Sequence, residues 1–122
     1  MNIDRMKAGP RMSMAVRHAG TVYLAGQVPD NVSEDVAGQT RQVLAKIDAL
    51  LAEAGTDKSR LLSATIYLRD MATFSQMNAA WDAWVDPNNT PARASVEAKL
   101  ARPEFMVEIS IIAATEIEKK LF

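Results

Sequence analysis

Cysteine is absent from the 122 residues. Without a thiol there is no disulfide, no thiolate nucleophile and no cysteine zinc site. Histidine occurs once, as His18, so a histidine metal cluster or a Ser-His-Asp triad is not expected. No apolar run approaches the roughly 20 residues that a membrane span requires. The N-terminal MNIDRMKAGP mixes charges and lacks the apolar stretch of a secretion signal, so a cytoplasmic location is expected. Charge of one sign is missing too. Fourteen basic side chains face 15 acidic ones, for a net charge of -1. A basic face built for phosphates is therefore not expected, nor is nucleic-acid binding. Internal repeats, low-complexity tracts and linkers are also lacking.

What remains is an ordinary globular composition, 48% hydrophobic and 24% charged. The length predicts one domain over residues 1–122, large enough to bury a core without covalent staples. RMSMAVRH (11–18) alternates loosely and TVYLAGQV (21–28) is rich in β-branched and apolar types. With Ala19-Gly20 as the turn between them, they predict an N-terminal hairpin. Ser33 suits an N-cap. Val36, Val43, Leu44, Ile47, Leu50, Leu51 and Ala54 then follow helical spacing over 34–54, with Gly55 as the residue that ends the helix. LLSATIYLR (61–69) reads as a strand. Asp70 is placed to cap a second helix, MATFSQMNAAWDAWV, whose apolar stripe holds Phe74, Met77, Trp81, Trp84 and Val85. Asn78 falls on that stripe, where a polar group needs a partner.

Strands over 93–100 and 105–114 complete a β-β-α-β-α-β-β order. It predicts an α+β domain with two helices on one face of a mixed sheet. The other face stays apolar enough, through Leu61, Thr65, Tyr67 and Ile112, to predict a closed oligomer.

The last two strands carry the chemistry. Alternation puts Arg93, Ser95, Glu97 and Lys99 on one face, and Ala94, Val96, Ala98 and Leu100 on the other as core. If the two strands form a hairpin with Leu100 near Phe105, Arg93 stands opposite Ile112 on the same side as Glu108. The two would then be roughly 13 Å apart, a gap that a ligand or another subunit would have to bridge. Arg93 alone is equally well read as a sheet-edge charge. Glu108, flanked by Val107 and Ile109, is expected to be partly buried and so suited to proton transfer, or else paired with Lys99. Trp81 and Trp84 are expected in the core, and His18 at the hairpin turn. Lys119-Lys120 reads as a solvated tail, with Leu121-Phe122 free to dock on a partner.

Gly26-Gln27-Val28-Pro29, Gln39-Thr40, Asn78, Pro91-Ala92-Arg93 and Val107-Glu108-Ile109 together resemble the Rid family (YjgF/YER057c/UK114) of imine and enamine deaminases. The resemblance runs over nearly the whole chain. It implies a chorismate-mutase-like fold, a homotrimer with clefts between subunits, and no cofactor. It also implies hydrolysis of 2-aminoacrylate or related 2-imino acids to 2-keto acids and ammonia. In that frame Arg93 holds the carboxylate of a small substrate in a bidentate contact, and Glu108 handles the attacking water. Gly26 offers backbone contacts, and Asn78 supports the pocket. Ser95 stands where the family archetype has a cysteine, so backbone contacts carry over but thiol chemistry does not. The archetype's tyrosine near Gly9-Pro10 is replaced by Arg11 and Met12. Trp81-Asp82-Ala83-Trp84 points to a different branch from the archetype. Non-catalytic binding of a keto acid in the same cleft is the alternative. Ribonuclease behaviour, also associated with the family, is disfavoured by the near-neutral charge, and chaperone-like holdase behaviour would need exposed apolar surface.

Overall fold

A computed structural model describes residues 2–116. Lys119-Lys120 and Leu121-Phe122 lie outside them. Six strands form one sheet: β1 Asp4–Ala8, β2 Ser13–His18, β3 Thr21–Leu24, β4 Leu61–Leu68, β5 Ala92–Glu97 and β6 Val107–Ala114. Two helices, α1 Val36–Glu53 and α2 Phe74–Trp84, cover one face. The expected α+β architecture is present, with one more strand than expected. β1 was not foreseen because DRMKA carries almost no apolar alternation. It is held as an edge strand by pairing to β2 and by Arg17 gripping Asp4 at 2.9 Å.

Turn chemistry sets the first hairpin. Ala19 and Gly20 both have positive φ, 52° and 81°, the geometry that matches a two-residue turn to the twist of its strands. α1 begins two residues later than expected. Asp35, not Ser33, is its N-cap, accepting from the Gly38 N–H at 2.8 Å. Ser33 instead donates to Asn31 in the preceding loop. Gly55, at φ 80°, ends the helix as expected. Asp70 caps a short 3-10 turn at Met71–Thr73 that leads into α2.

The strand order is β1-β2-β3-β6-β4-β5, which corrects the expected C-terminal hairpin. β5 and β6 are not neighbours. β4 lies between them, antiparallel to β6 and parallel to β5. Parallel pairing needs a crossover, and α2 supplies it. The segment that was read as a turn has its backbone committed elsewhere. Ala98 N–H donates to the Leu68 carbonyl. The Arg69 guanidinium donates to the carbonyls of Phe105, Arg102 and Leu100. Buried Gln39 donates to the Glu104 carbonyl and accepts from the Met106 N–H.

This topology inverts the facing of β5. Arg93, Ser95 and Glu97 pair with Ala64, Ile66 and Leu68 and so share the helix-covered side. Ala94 and Val96, expected in the core, are exposed instead, Val96 by 41%. The core lies between α1, α2 and the inward residues of β2, β3, β4 and β6, with Leu44, Ile47, Leu51, Ile66, Leu68, Met77, Ile109 and Ile111 fully buried. Among the described residues, no helix is long and apolar enough to cross a membrane.

Candidate functional site

The expected site residues separate into two hollows on opposite sides of the sheet. The first, about 560 Å³, opens at the β5 edge and is lined by Met71, Phe74, Arg93 and Ser95. β5 puts Arg93 and Ser95 two residues apart, hence on one face. α2 lies across that face. Phe74, Asn78 and Trp81 are spaced four and three apart and project together. The Arg93 Cζ lies 5.7 Å from the Phe74 ring centre and 5.4 Å from that of Trp81. Trp81 is in the core, as expected, yet its ring also faces the guanidinium.

Among the described residues Arg93 has no carboxylate within ion-pair distance and no hydrogen-bond partner. Two further polar atoms are stranded. The Asn78 Oδ1 and the Ser95 Oγ are both buried and unpaired among the described residues. Burying a polar atom without a partner costs on the order of 1–3 kcal/mol, and such atoms commonly await a ligand or water. Here both belong to residues singled out from the sequence. The rim is fixed by Glu97, which accepts from the Met71 N–H at 2.9 Å and ties the 3-10 turn to β5.

The second hollow, about 340 Å³, lies on the open face and holds Gly26, Tyr67, Lys99, Glu108 and Ser110. Glu108 is half-buried and stands opposite Tyr67 across the β4–β6 ladder. Lys99 lines the same hollow but makes no ion pair with it among the described residues. Gly26 has a steric task. A Cβ there would run into the Glu108 carboxylate and come within 3.0 Å of its Cδ. The missing side chain is the space that the carboxylate occupies. Gln27 holds this segment against β6 by exchanging backbone hydrogen bonds with Ile109.

Arg93 and Glu108 therefore do not share a face, contrary to the hairpin expectation. β5 runs parallel to β4, which puts Arg93 in register with inward Ala64, while Glu108 is in register with outward Tyr67. Gly26 and Glu108 are brought together, as are Arg93 and Ser95, with Asn78 on the helix above. Sequence reasoning passed over Phe74, Trp81 and Met71 as ligand-side residues, because an apolar stripe at helical spacing looks the same whether it faces only core or also a charge. Tyr67 lies on the open face, as its alternation predicts, and lines the second hollow.

The family model described as Endoribonuclease L-PSP matches residues 2–115. A RutC family protein of Haemophilus ducreyi is 52% identical over 112 residues, covering 92% of this chain and 96% of its own. The RutC family protein YoaB of Escherichia coli is 46% identical, covering 93% and 99%. Among solved structures, a YjgF family member from Neisseria meningitidis superposes with a TM-score of 0.93 at 52% identity, covering 97% of this chain and 98% of that one.

Proposed function

The chain belongs to the Endoribonuclease L-PSP family, the group of RutC, YjgF and Rid proteins, and from that premise we propose that it hydrolyses reactive enamines and imines of small 2-amino acids to 2-keto acids and ammonia. The observation that carries the reading is Arg93. It is a guanidinium with no protein counter-charge among the described residues, at the mouth of a hollow lined also by Ser95, whose Oγ is buried and unpaired among the described residues. A planar carboxylate fits such a fork in two parallel N–H···O bonds, which lysine could not reproduce.

A second copy completes the site. One chain holds Arg93 and Glu108 on opposite sides of its sheet, so both reach one ligand only when the Glu108 side of one protomer meets the β5 edge of another. The exposed Tyr23, Leu62 and Val96 supply apolar surface for such an assembly, and a homotrimer is the closed form that the family resemblance implies. In the cleft, Arg93 anchors the carboxylate. Glu108 takes a proton from water as its oxygen bonds to the imine carbon. That proton passes to the nitrogen to give a neutral carbinolamine, whose hydroxyl proton then moves to the nitrogen through Glu108 as the C–N bond breaks, so that ammonia leaves and the C=O bond forms. An enamine first takes a proton at its β-carbon and gives one up from its nitrogen to become the imine. This chemistry needs only carboxylate, guanidinium and water.

The test generates 2-aminoacrylate and several 2-imino acids in situ and follows their loss by semicarbazone trapping. Wild type should accelerate the loss, while Arg93→Ala and Glu108→Gln should not. No acceleration on any imine, together with keto-acid binding that Arg93→Lys abolishes, would instead establish a carboxylate-binding protein without turnover. The absence of any phenol at Arg11 or Met12, where the family archetype has tyrosine, is the observation that favours this second reading.

A further inference from the structure

Arg93 is short of hydrogen bonds but not of neighbours. Its guanidinium carbon lies 5.7 Å from the Phe74 ring centre and 5.4 Å from the Trp81 ring centre. Aromatic faces attract a cation without occupying its N–H groups. Trp81 is itself braced. Its ring centre is 5.4 Å from that of Trp84, at an interplanar angle of 53°. Trp84 in turn donates from Nε1 to the Asp48 carboxylate on α1 at 2.9 Å, and the Lys58 ammonium sits over its ring at 5.4 Å from the centre. An unbroken line of contacts runs from the Asp48 side chain of α1 through two indoles to Arg93.

We propose that Phe74 and Trp81 are positioning residues for Arg93. In this role they hold the guanidinium by its faces, so that all its N–H donors stay open to a ligand carboxylate. The inference rests on the reading of Arg93 as a carboxylate anchor. It adds the means by which a long, flexible side chain keeps one orientation with no hydrogen bond to another of the described residues. A carboxylate partner would hold the side chain as firmly, but would consume the donors and neutralise the charge. Two rings do neither. The arrangement also assigns work to the Trp-Asp-Ala-Trp segment. Trp81 contacts the cation, and Trp84 locks Trp81 to α1, three residues along the same helix face.

The test has a ligand-free arm and a binding arm. In the first, the Arg93 Nε–H resonance is identified by its loss in Arg93→Lys. In wild type it should be ring-shifted and less mobile than that of exposed Arg5. In Trp81→Leu and Phe74→Leu the ring shift should shrink and the mobility should rise toward that of Arg5, while Trp81→Phe should keep the wild-type behaviour. Circular dichroism confirms the fold of each variant, and if Trp81→Leu does not fold, half-buried Phe74 carries the test. In the second arm, calorimetric affinity for 2-oxobutanoate should fall about tenfold in each leucine variant and be largely restored in Trp81→Phe. An Arg93 resonance as mobile in wild type as that of Arg5, or unmoved by both leucine substitutions, overturns the proposal. If wild type does not bind 2-oxobutanoate at all, the carboxylate-anchor reading falls, and the clamp is decided by the resonance alone.

Discussion

Ser95 and Gly26 bear on the proposed site in different ways, one through an unmet polar group and one through a missing side chain. The Ser95 hydroxyl is buried and unpaired, so Ser95→Ala removes an unmet donor and acceptor. Thermal unfolding should show a gain of up to about 1 kcal/mol, while keto-acid affinity drops several-fold. A clear loss of stability would mean that the hydroxyl is satisfied in the folded protein. Gly26→Ala tests the opposite kind of effect. Its backbone is not in the left-handed region, so alanine is tolerated there, but the new Cβ takes the volume of the Glu108 carboxylate. Imine turnover should fall about a hundredfold with little change in the unfolding midpoint. Unimpaired turnover would remove Glu108 from the reacting centre.

At the scale of elements, the 98–106 segment is held by two side chains rather than by strand pairing. Gln39, on α1, is 1% exposed and reaches both Glu104 and Met106. Gln39→Leu leaves a buried N–H and a carbonyl without partners and should cost about 2–4 kcal/mol in denaturant unfolding. Faster amide exchange at Met106 should accompany that loss. The β2–β3 turn gives a change of opposite sign. Ala19 sits at φ 52°, a conformation that disfavours alanine and suits asparagine. Ala19→Asn should stabilise the protein by about 0.5–1 kcal/mol, read as a higher thermal midpoint. These elements were legible in the sequence to different degrees. α1, β4 and the hairpin turn follow from periodicity and turn residues. β1 did not, because an edge strand with one side in solvent needs little apolar alternation.

For the whole molecule, the decisive property is that one sheet separates Arg93 from Glu108. If a site takes Arg93 from one protomer and Glu108 from its neighbour, Arg93→Ala and Glu108→Ala should complement each other. Co-refolded at equal amounts, the two inactive variants should recover about a quarter of wild-type imine hydrolysis, since one pairing in four joins two intact contributions. Each variant refolded alone should stay inactive. No recovery in a mixed oligomer shown by mass spectrometry to contain both chains would place the reaction within one protomer.

The amino-acid sequence by itself determined the α+β class, the long amphipathic helix, the family and the set of residues at issue, Arg93, Glu108, Gly26, Asn78 and Ser95. These depend on local periodicity, turn chemistry and residue type, all of which a chain displays without folding. Only the tertiary structure decided where those residues stand. Inserting β4 between β5 and β6 turned an expected antiparallel hairpin into a parallel edge pair, and with it moved Arg93 to the helix side and Val96 into solvent. Side-chain facing alternates with every residue along a strand, so the face that a residue takes is set by its neighbour in the sheet, and that neighbour is chosen by contacts distant in sequence.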